Sequence, residues 1–310
     1  MSRTDDSQFR SMTPTLMPLI RRFVVHPIEA FGTFLVYAFF RVLPLDVASA
    51  IGGWLGRTVG PRLSLSDRAV RNLSRVYPDK PQAEIGAIVR GMWDNLGRLA
   101  AEFPHLEEFR LYEKGGRVEV IGVEHVDQLR DDGLPGIFFS AHIGNWEIIS
   151  LGVTQRGMPL DRVYRAANNR LVEWLYRQGR SAAKGALIPK GMAGVRMLLK
   201  SLKDGNHLAI MVDQKMNNGI AVPFMGRPAM TAPALAELAL RFGCPVVPGR
   251  VRRLKGARFQ VEVLPPLDLP DTGDRHADIL ATMTRVNEIV EAWVRETPEQ
   301  WLWLHNRWPD

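Results

Sequence analysis

Among 310 residues there is one cysteine, Cys244. That excludes an intrachain disulfide and any multi-cysteine zinc site, and it fits a reducing, cytosol-facing setting. An uninterrupted apolar run of membrane length is also missing. Near the N-terminus the longest uncharged stretch, Ala30 to Phe40, has 11 residues. That is about 16 Å of helix at 1.5 Å per residue, whereas a span takes about 20 residues. There is no G-x-S-x-G elbow and no H-E-x-x-H pair, which sets aside elbow-serine hydrolysis and zinc-peptidase chemistry. Neither internal repeats nor low-complexity segments occur. Zinc-finger spacings, RNA-binding signatures and Lys/Arg-rich arms are absent as well. The excess of 40 Lys and Arg over 33 Asp and Glu, a formal +7, therefore favours an anionic membrane surface over nucleic acid.

What is present begins with an apolar N-terminal segment. Arg21 and Arg22 precede FVVHPIEAFGTFLVYAFFRVLP. Extending it from Phe23 to Leu45 reaches membrane length only by taking in His26, Glu29 and Arg41, and a charge at a helix centre costs roughly 2.5 to 3.5 kcal/mol. Glu29 and Arg41 near the ends would snorkel, so a span and a surface helix both stay open. A second patch, Val47, Ile51, Trp54 and Leu55, follows the spacing of one helix face. Residues 1–60 are thus expected to form a membrane-associated helical region, with an ordinary core hairpin as the alternative. The apolar part begins too late, and lacks the small-residue site, for a cleaved signal peptide.

Beyond it, short apolar runs (RVEVIG, GIFFSA, RVYRA, HLAIMVD, CPVVPGRV and RFQVEVL) alternate with helical patterns, including Pro81 to Phe103 and Asp274 to Arg295. Residues 61–310 therefore read as one α/β domain with a mixed, largely parallel sheet flanked by helices.

At Phe138 to Ile149, FFSAHIGNWEII, a buried strand gives way to a polar turn carrying His142 and Glu147. Residues five apart on one helix are about 140° out of phase, so the two side chains meet only if the chain breaks between them. Gly144 supplies the break, and Asn145 is a favourable N-cap for a helix beginning at Trp146. His142 then ends a strand, and Glu147 in the first helical turn reaches back to the imidazole. Carboxyl ends of strands are where α/β active sites form. A carboxylate on one ring nitrogen fixes the tautomer and makes the other a better base. No side chain stands out as a nucleophile, so a substrate hydroxyl is expected to attack. A metal centre is less favoured, because the other histidines are scattered.

The blocks SAHIGNWEII, VYRAANN, IPKGMAGVRMLLKSLKDGNHLAIMVDQK, VPFMGRPAMTAPALAELALRFGCPVVP and PEQWLWLHNRW resemble, in order, those of the bacterial lipid A late acyltransferases, the lauroyl and myristoyl acyltransferases. The resemblance runs from about Phe31 to Trp308. A lone H-x4-E would fit glycerolipid acyltransferases equally well. It implies a glycerolipid-acyltransferase-like fold and transfer of a fatty acyl chain from acyl carrier protein to a hydroxyl on a hydroxyacyl chain of a lipid A precursor. The setting it implies is the cytoplasmic face of the inner membrane, among anionic lipids. By the same resemblance His142 is the general base, Glu147 its partner, and Arg165 and Asp213 are active-site polar residues.

Arg165 and Asp213 each end an expected strand, where a guanidinium could hold phosphate or an oxyanion and a carboxylate would open beside His142. Asn168, Gln214 and Lys215 are weaker candidates for positioning substrate. Lys190, Arg196, Lys200 and Lys203 form either a carrier-protein surface or a solvated helix face. Phe224, Met225 and Met230 line an acyl tunnel or pack in the core, and Trp301, Trp303 and Trp308 anchor at an interface or pack inside. No metal or organic cofactor is required for this chemistry. The rivals are transfer to another membrane lipid, such as a glycerolipid, an ornithine lipid or a glycosylated phosphatidylinositol, and non-catalytic binding of anionic lipid.

Overall fold

The computed structural model describes residues 21–308; the first twenty residues of the expected 1–60 region lie outside the described residues. After a single π-helical stretch at Arg21–Val25 come α1 (His26–Val42), α2 (Leu45–Val59), α3 (Leu65–Val76) and α4 (Gln82–Glu102). The α/β part follows as β1 (Val118–Ile121), α5 (Val123–Asp131), β2 (Ile137–Ser140), α6 (Glu147–Gln155), β3 (Leu160–Tyr164), α7 (Arg170–Gly179), β4 (Leu187–Pro189), α8 (Met192–Lys203) and β5 (His207–Met211). It continues through β6 (Lys215–Phe224), β7 (Arg227–Thr231), α9 (Ala234–Phe242), β8 (Val246–Lys255), β9 (Arg258–Val263) and α10 (Arg275–Glu296).

Seven strands form one sheet in the order β1-β9-β8-β2-β5-β3-β4. All neighbours run parallel except the β8–β9 hairpin, so the sheet is mixed and largely parallel. β2 lies at its centre and is buried at every position. A central strand covered on both faces needs an apolar run rather than alternation, and Ile137-Phe138-Phe139 supplies one. Its register with β5, Ser140 opposite Met211, brings the residues just past both strands to the same edge. β6 and β7 form a separate antiparallel hairpin.

The N-terminal helices turn their larger apolar side chains outward. α2 buries its small face, Ala48, Ser49, Gly52 and Gly53, and exposes Val47, Trp54, Leu55 and Val59. Its contact with α4 is made backbone to backbone: a Cβ on Gly52 would lie 2.4 Å from the Gly97 carbonyl oxygen, and one on Gly97 would lie 2.1 Å from that of Gly52. Only glycine fits at either position. Phe23–Val42 is 20 residues long and apolar enough to cross a membrane by length and composition. Ile28, Phe31, Leu35, Phe39 and Val42 on it are exposed. Its charged residues near the two ends have partners on the rest of the protein. Glu29 accepts a 3.1 Å hydrogen bond from the Asn169 side chain, and Arg41 pairs with Glu107 and, at 2.8 Å, with Glu108. Both therefore hold α1 against the α/β body, where Phe34 also stacks on Trp174 at 5.9 Å.

Trp301, Trp303 and Trp308 are all fully buried and pack on one another at 4.7 to 6.4 Å between ring centres, with Phe224 against Trp301 and Trp308 at 5.7 Å. They are core, as are Phe224 and Met225. The choice left open by sequence falls on packing for these residues.

Candidate active site

Gly144 breaks the chain between β2 and α6. Its φ is +59°, and a Cβ there would meet the Val251 carbonyl oxygen at 2.1 Å, so the position requires glycine on both counts. The turn is then clamped by the C-terminal segment. Gly144 donates its amide to the Gln300 carbonyl at 3.1 Å, Leu302 donates to the His142 carbonyl at 3.1 Å, and Asn95 Nδ2 donates to the Gly144 carbonyl at 3.0 Å. Asn145 is not the expected side-chain cap: its Nδ2 donates instead to buried Glu102 at 2.8 Å, and α6 begins at Glu147.

His142 and Asp213 each lie two residues past their strands, β2 and β5, and they meet. His142 Nδ1 is 2.8 Å from Asp213 Oδ1, and the His142 amide donates to Oδ2 at 2.8 Å. Trp301 Nε1 donates to the same Oδ2 at 2.8 Å. Burial by itself would raise the Asp213 carboxyl. The neighbouring His142, through charge and hydrogen bonds, with His305 adding to it, reverses that and holds it far below the usual carboxylate range. An ionised carboxylate only accepts, so the proton of a neutral imidazole sits on Nδ1, and Nε2 keeps its lone pair. Gln214 Nε2 approaches that nitrogen loosely, at 3.4 Å, while Lys190 Nζ donates to Gln214 Oε1 at 2.7 Å.

Glu147 does not reach the imidazole. Its carboxylate forms a two-pronged bridge to Arg180, 2.6 and 2.9 Å, and Arg180 in turn lies over Phe103 and Tyr176. Burial would raise the Glu147 carboxyl, but the Arg180 hydrogen bonds and charge, then Arg162 and His142, bring it below its ordinary value. The expectation of a direct His142–Glu147 bond is therefore corrected: a fixed guanidinium offers a carboxylate two parallel donors, and Asp213 already occupies Nδ1. Replacing Glu147 by Gln is expected to lower the melting temperature. Breaking one side of a buried pair costs about 3 to 5 kcal/mol, less here because the side chains remain 12% and 24% exposed. Glu147→Gln combined with Arg180→Met should recover most of the loss. A native melting temperature for Glu147→Gln alone would remove this structural role.

One cavity of about 510 Å³ joins these groups. His142, Trp146 and Gln214 line it, as do Glu147 and Arg180. Apolar residues such as Phe138, Ile149, Val153, Leu160 and Leu175 make up much of the wall, and Val36 and Tyr37 of α1 close it on the N-terminal side. Ser140 Oγ and Arg162 Nε, on two residues of that wall, are buried without a hydrogen-bond partner among the described residues. Arg165 follows β3, lines the same cavity and is exposed. Beside it, burial and then the Arg165 charge lower the Lys190 ammonium below its ordinary value. Asn168 is exposed and Lys215 opens β6, and neither lines the cavity. Phe224, Met225 and Met230 do not line it either, and of the two readings open for them, tunnel lining or core packing, the cavity supports no lining role.

Cys244 is buried, which pushes its thiol up to about 11, so it is unsuited to nucleophilic attack. His142, Asp213 and His305 present ligand-type atoms within 4.8 Å of one another. Both Asp213 oxygens, however, already accept N–H donors, and a cation would have to displace them. Burial lowers His305 to about 4, leaving it neutral at neutral pH.

The site is thus a histidine held by a buried carboxylate, on the wall of a cavity whose lining is largely apolar. The family model for bacterial lipid A biosynthesis acyltransferases matches residues 21–310, and the chain belongs to that family of acyltransferases. It is 28% identical over 276 residues to the lipid A biosynthesis lauroyltransferase of Escherichia coli, covering 86% of each chain. It is 24% identical over 276 residues to a lipid A biosynthesis acyltransferase of Haemophilus influenzae, covering 84% of this chain and 81% of that one. The phosphatidylinositol mannoside acyltransferase of Mycolicibacterium smegmatis is 24% identical over 280 residues, covering 86% of this chain and 87% of that one. Among solved structures, the 1-acyl-sn-glycerophosphate acyltransferase of Thermotoga maritima aligns with 89% of this chain and 99% of that one, at 14% identity and a TM-score of 0.39.

Sequence reasoning did not place Arg180, Arg162 or Ser140 at the site, and it singled out Trp301 without its bond to Asp213. Trp301 lies 88 residues from its partner Asp213, and no local pattern announces such a contact.

Proposed function

We propose that the protein transfers a fatty acyl chain from acyl carrier protein to a hydroxyl on a hydroxyacyl chain of a lipid A precursor, directly and without an acyl-enzyme. The observation that carries the reading is His142, whose Nδ1 lies 2.8 Å from Asp213 Oδ1 and which lines a cavity of about 510 Å³ with a largely apolar wall. The acceptor hydroxyl attacks the thioester carbonyl as Nε2 takes its proton. The tetrahedral oxyanion collapses, the carbon–sulfur bond breaks, and the imidazolium returns the proton to the leaving thiolate. Arg165 and Gln214 at the cavity wall are the candidates to hold the oxyanion or a substrate phosphate. Glu147 and Arg180 act together by shaping the cavity beside the base.

The enzyme works at the cytoplasmic face of the inner membrane, with residues 1–60 as the membrane-associated region and 61–310 as the catalytic domain. α1 is bound to the body from Glu29 to Arg41 and apolar on its far side, the pattern of a helix lying in a membrane surface. The likeness to the phosphatidylinositol mannoside acyltransferase favours, as a second reading, a glycosylated phosphatidylinositol acceptor. Mass spectrometry of products from purified protein, acyl carrier protein donor and both acceptors in competition decides. An added acyl chain on the lipid A precursor is expected, whereas acylation of the other lipid alone would refute the assignment.

A further inference from the structure

A second cavity, of about 490 Å³, shares no lining residue with the first and lies between α2, α4, the β8–β9 turn and the Pro298–Gln300 turn. Its wall is strongly basic. Arg57, Arg90, Arg98 and Lys255 line it, opposed by Asp94 and Glu299. Asp94 is already taken up by Arg57 and Arg98, at 2.6 Å each. Arg90 and Lys255 are exposed and have no ion pair among the described residues. At the floor, buried Arg253 is bound by Glu102 and by Asn95 Oδ1 at 2.8 Å, so the basic rim stands on a rigid base.

The position of this groove says what it faces. On α2, Arg57 is three residues from Trp54, about 60° around the helix from it, and Trp54 begins the exposed apolar stripe that includes Leu55 and Val59. The basic groove therefore borders an apolar surface. Cationic side chains beside exposed Trp and Leu match the boundary between headgroups and hydrocarbon. We infer that the groove binds the phosphate of an anionic phospholipid headgroup while the stripe on α2 enters the acyl region. This site is separate from the acyl-transfer cavity and does not depend on the acceptor assigned above.

The test uses the full chain and co-sedimentation with phosphatidylglycerol-containing vesicles, with phosphatidylcholine vesicles as reference. Arg90→Gln with Lys255→Gln removes two unpaired charges from exposed positions, so the fold should persist, and a thermal melt checks this. About one kcal/mol per basic group near an anionic surface is roughly fivefold, so about 30-fold weaker binding to the anionic vesicles is expected. Removing the same charge at Arg196 and Lys203, which line neither cavity, should cost much less. Native binding by the groove variant, or an equal loss in the control, overturns the proposal. Inorganic phosphate bound in the groove without any difference in vesicle binding assigns it to a soluble anion and also overturns it. A rise in KM for the carrier-protein donor with native vesicle binding gives the groove to an acidic protein instead.

Discussion

Asp213→Asn should lower kcat by about 10² to 10⁴, the range for losing general-base assistance, while leaving the fold in place. The amide keeps one oxygen to accept from the His142 amide and Trp301 Nε1, which donate at 2.8 Å in the native protein. Its NH2 group, however, now faces Nδ1. A donor there forces the neutral ring to carry its proton on Nε2, which can no longer take one from the acceptor hydroxyl. A steady-state assay paired with a thermal melt separates this from unfolding: the rate falls and the melting temperature moves little. If the variant transferred acyl chains at the native rate, Asp213 would have no part in orienting the base.

His142→Ala should produce a loss of the same order, 10² to 10⁴ in kcat, with KM for the donor changed much less. On the proposed mechanism the imidazole contributes in the transition state, whereas the hydrocarbon would be held by the apolar cavity wall, which includes Phe138, Ile149, Leu160 and Leu175. An interaction made only in the transition state lowers kcat and kcat/KM together. Combining His142→Ala with Asp213→Asn should add little to either alone, because the carboxylate acts through the ring. Additive losses in the double variant would show that the two residues act independently.

The alternation of apolar runs and helical patterns was enough to read the sheet and its flanking helices. β4, with three residues, and the β6–β7 hairpin were not legible. Lys215 to Gly219, with Asn217 and Asn218, carries turn composition, and β6 gains its strand only by pairing with β7. At the site, Gly144 could be read correctly as the break because helical phase demanded one. The partner of His142 could not be read that way. Glu147 was the nearest carboxylate in sequence, but strand register decides the contact: β2 and β5 are neighbours, and their next residues meet at the sheet edge. Arg180 took Glu147 from 33 residues away, a choice set by packing of α7 on the body. The N-terminal helices show the same limit from another side. Their spacing marked an apolar face but could not say that the small residues Ala48, Gly52 and Gly53 would be the buried ones.

The orientation of the His142 imidazole by Asp213 is tested most directly by the nitrogen-15 spectrum of His142 at neutral pH, assigned by comparison with His142→Ala. A proton on Nδ1 and a bare Nε2 are expected in the native protein, with the proton moved to Nε2 in Asp213→Asn. A neutral native ring protonated on Nε2, under conditions where acyl transfer proceeds, would contradict that orientation.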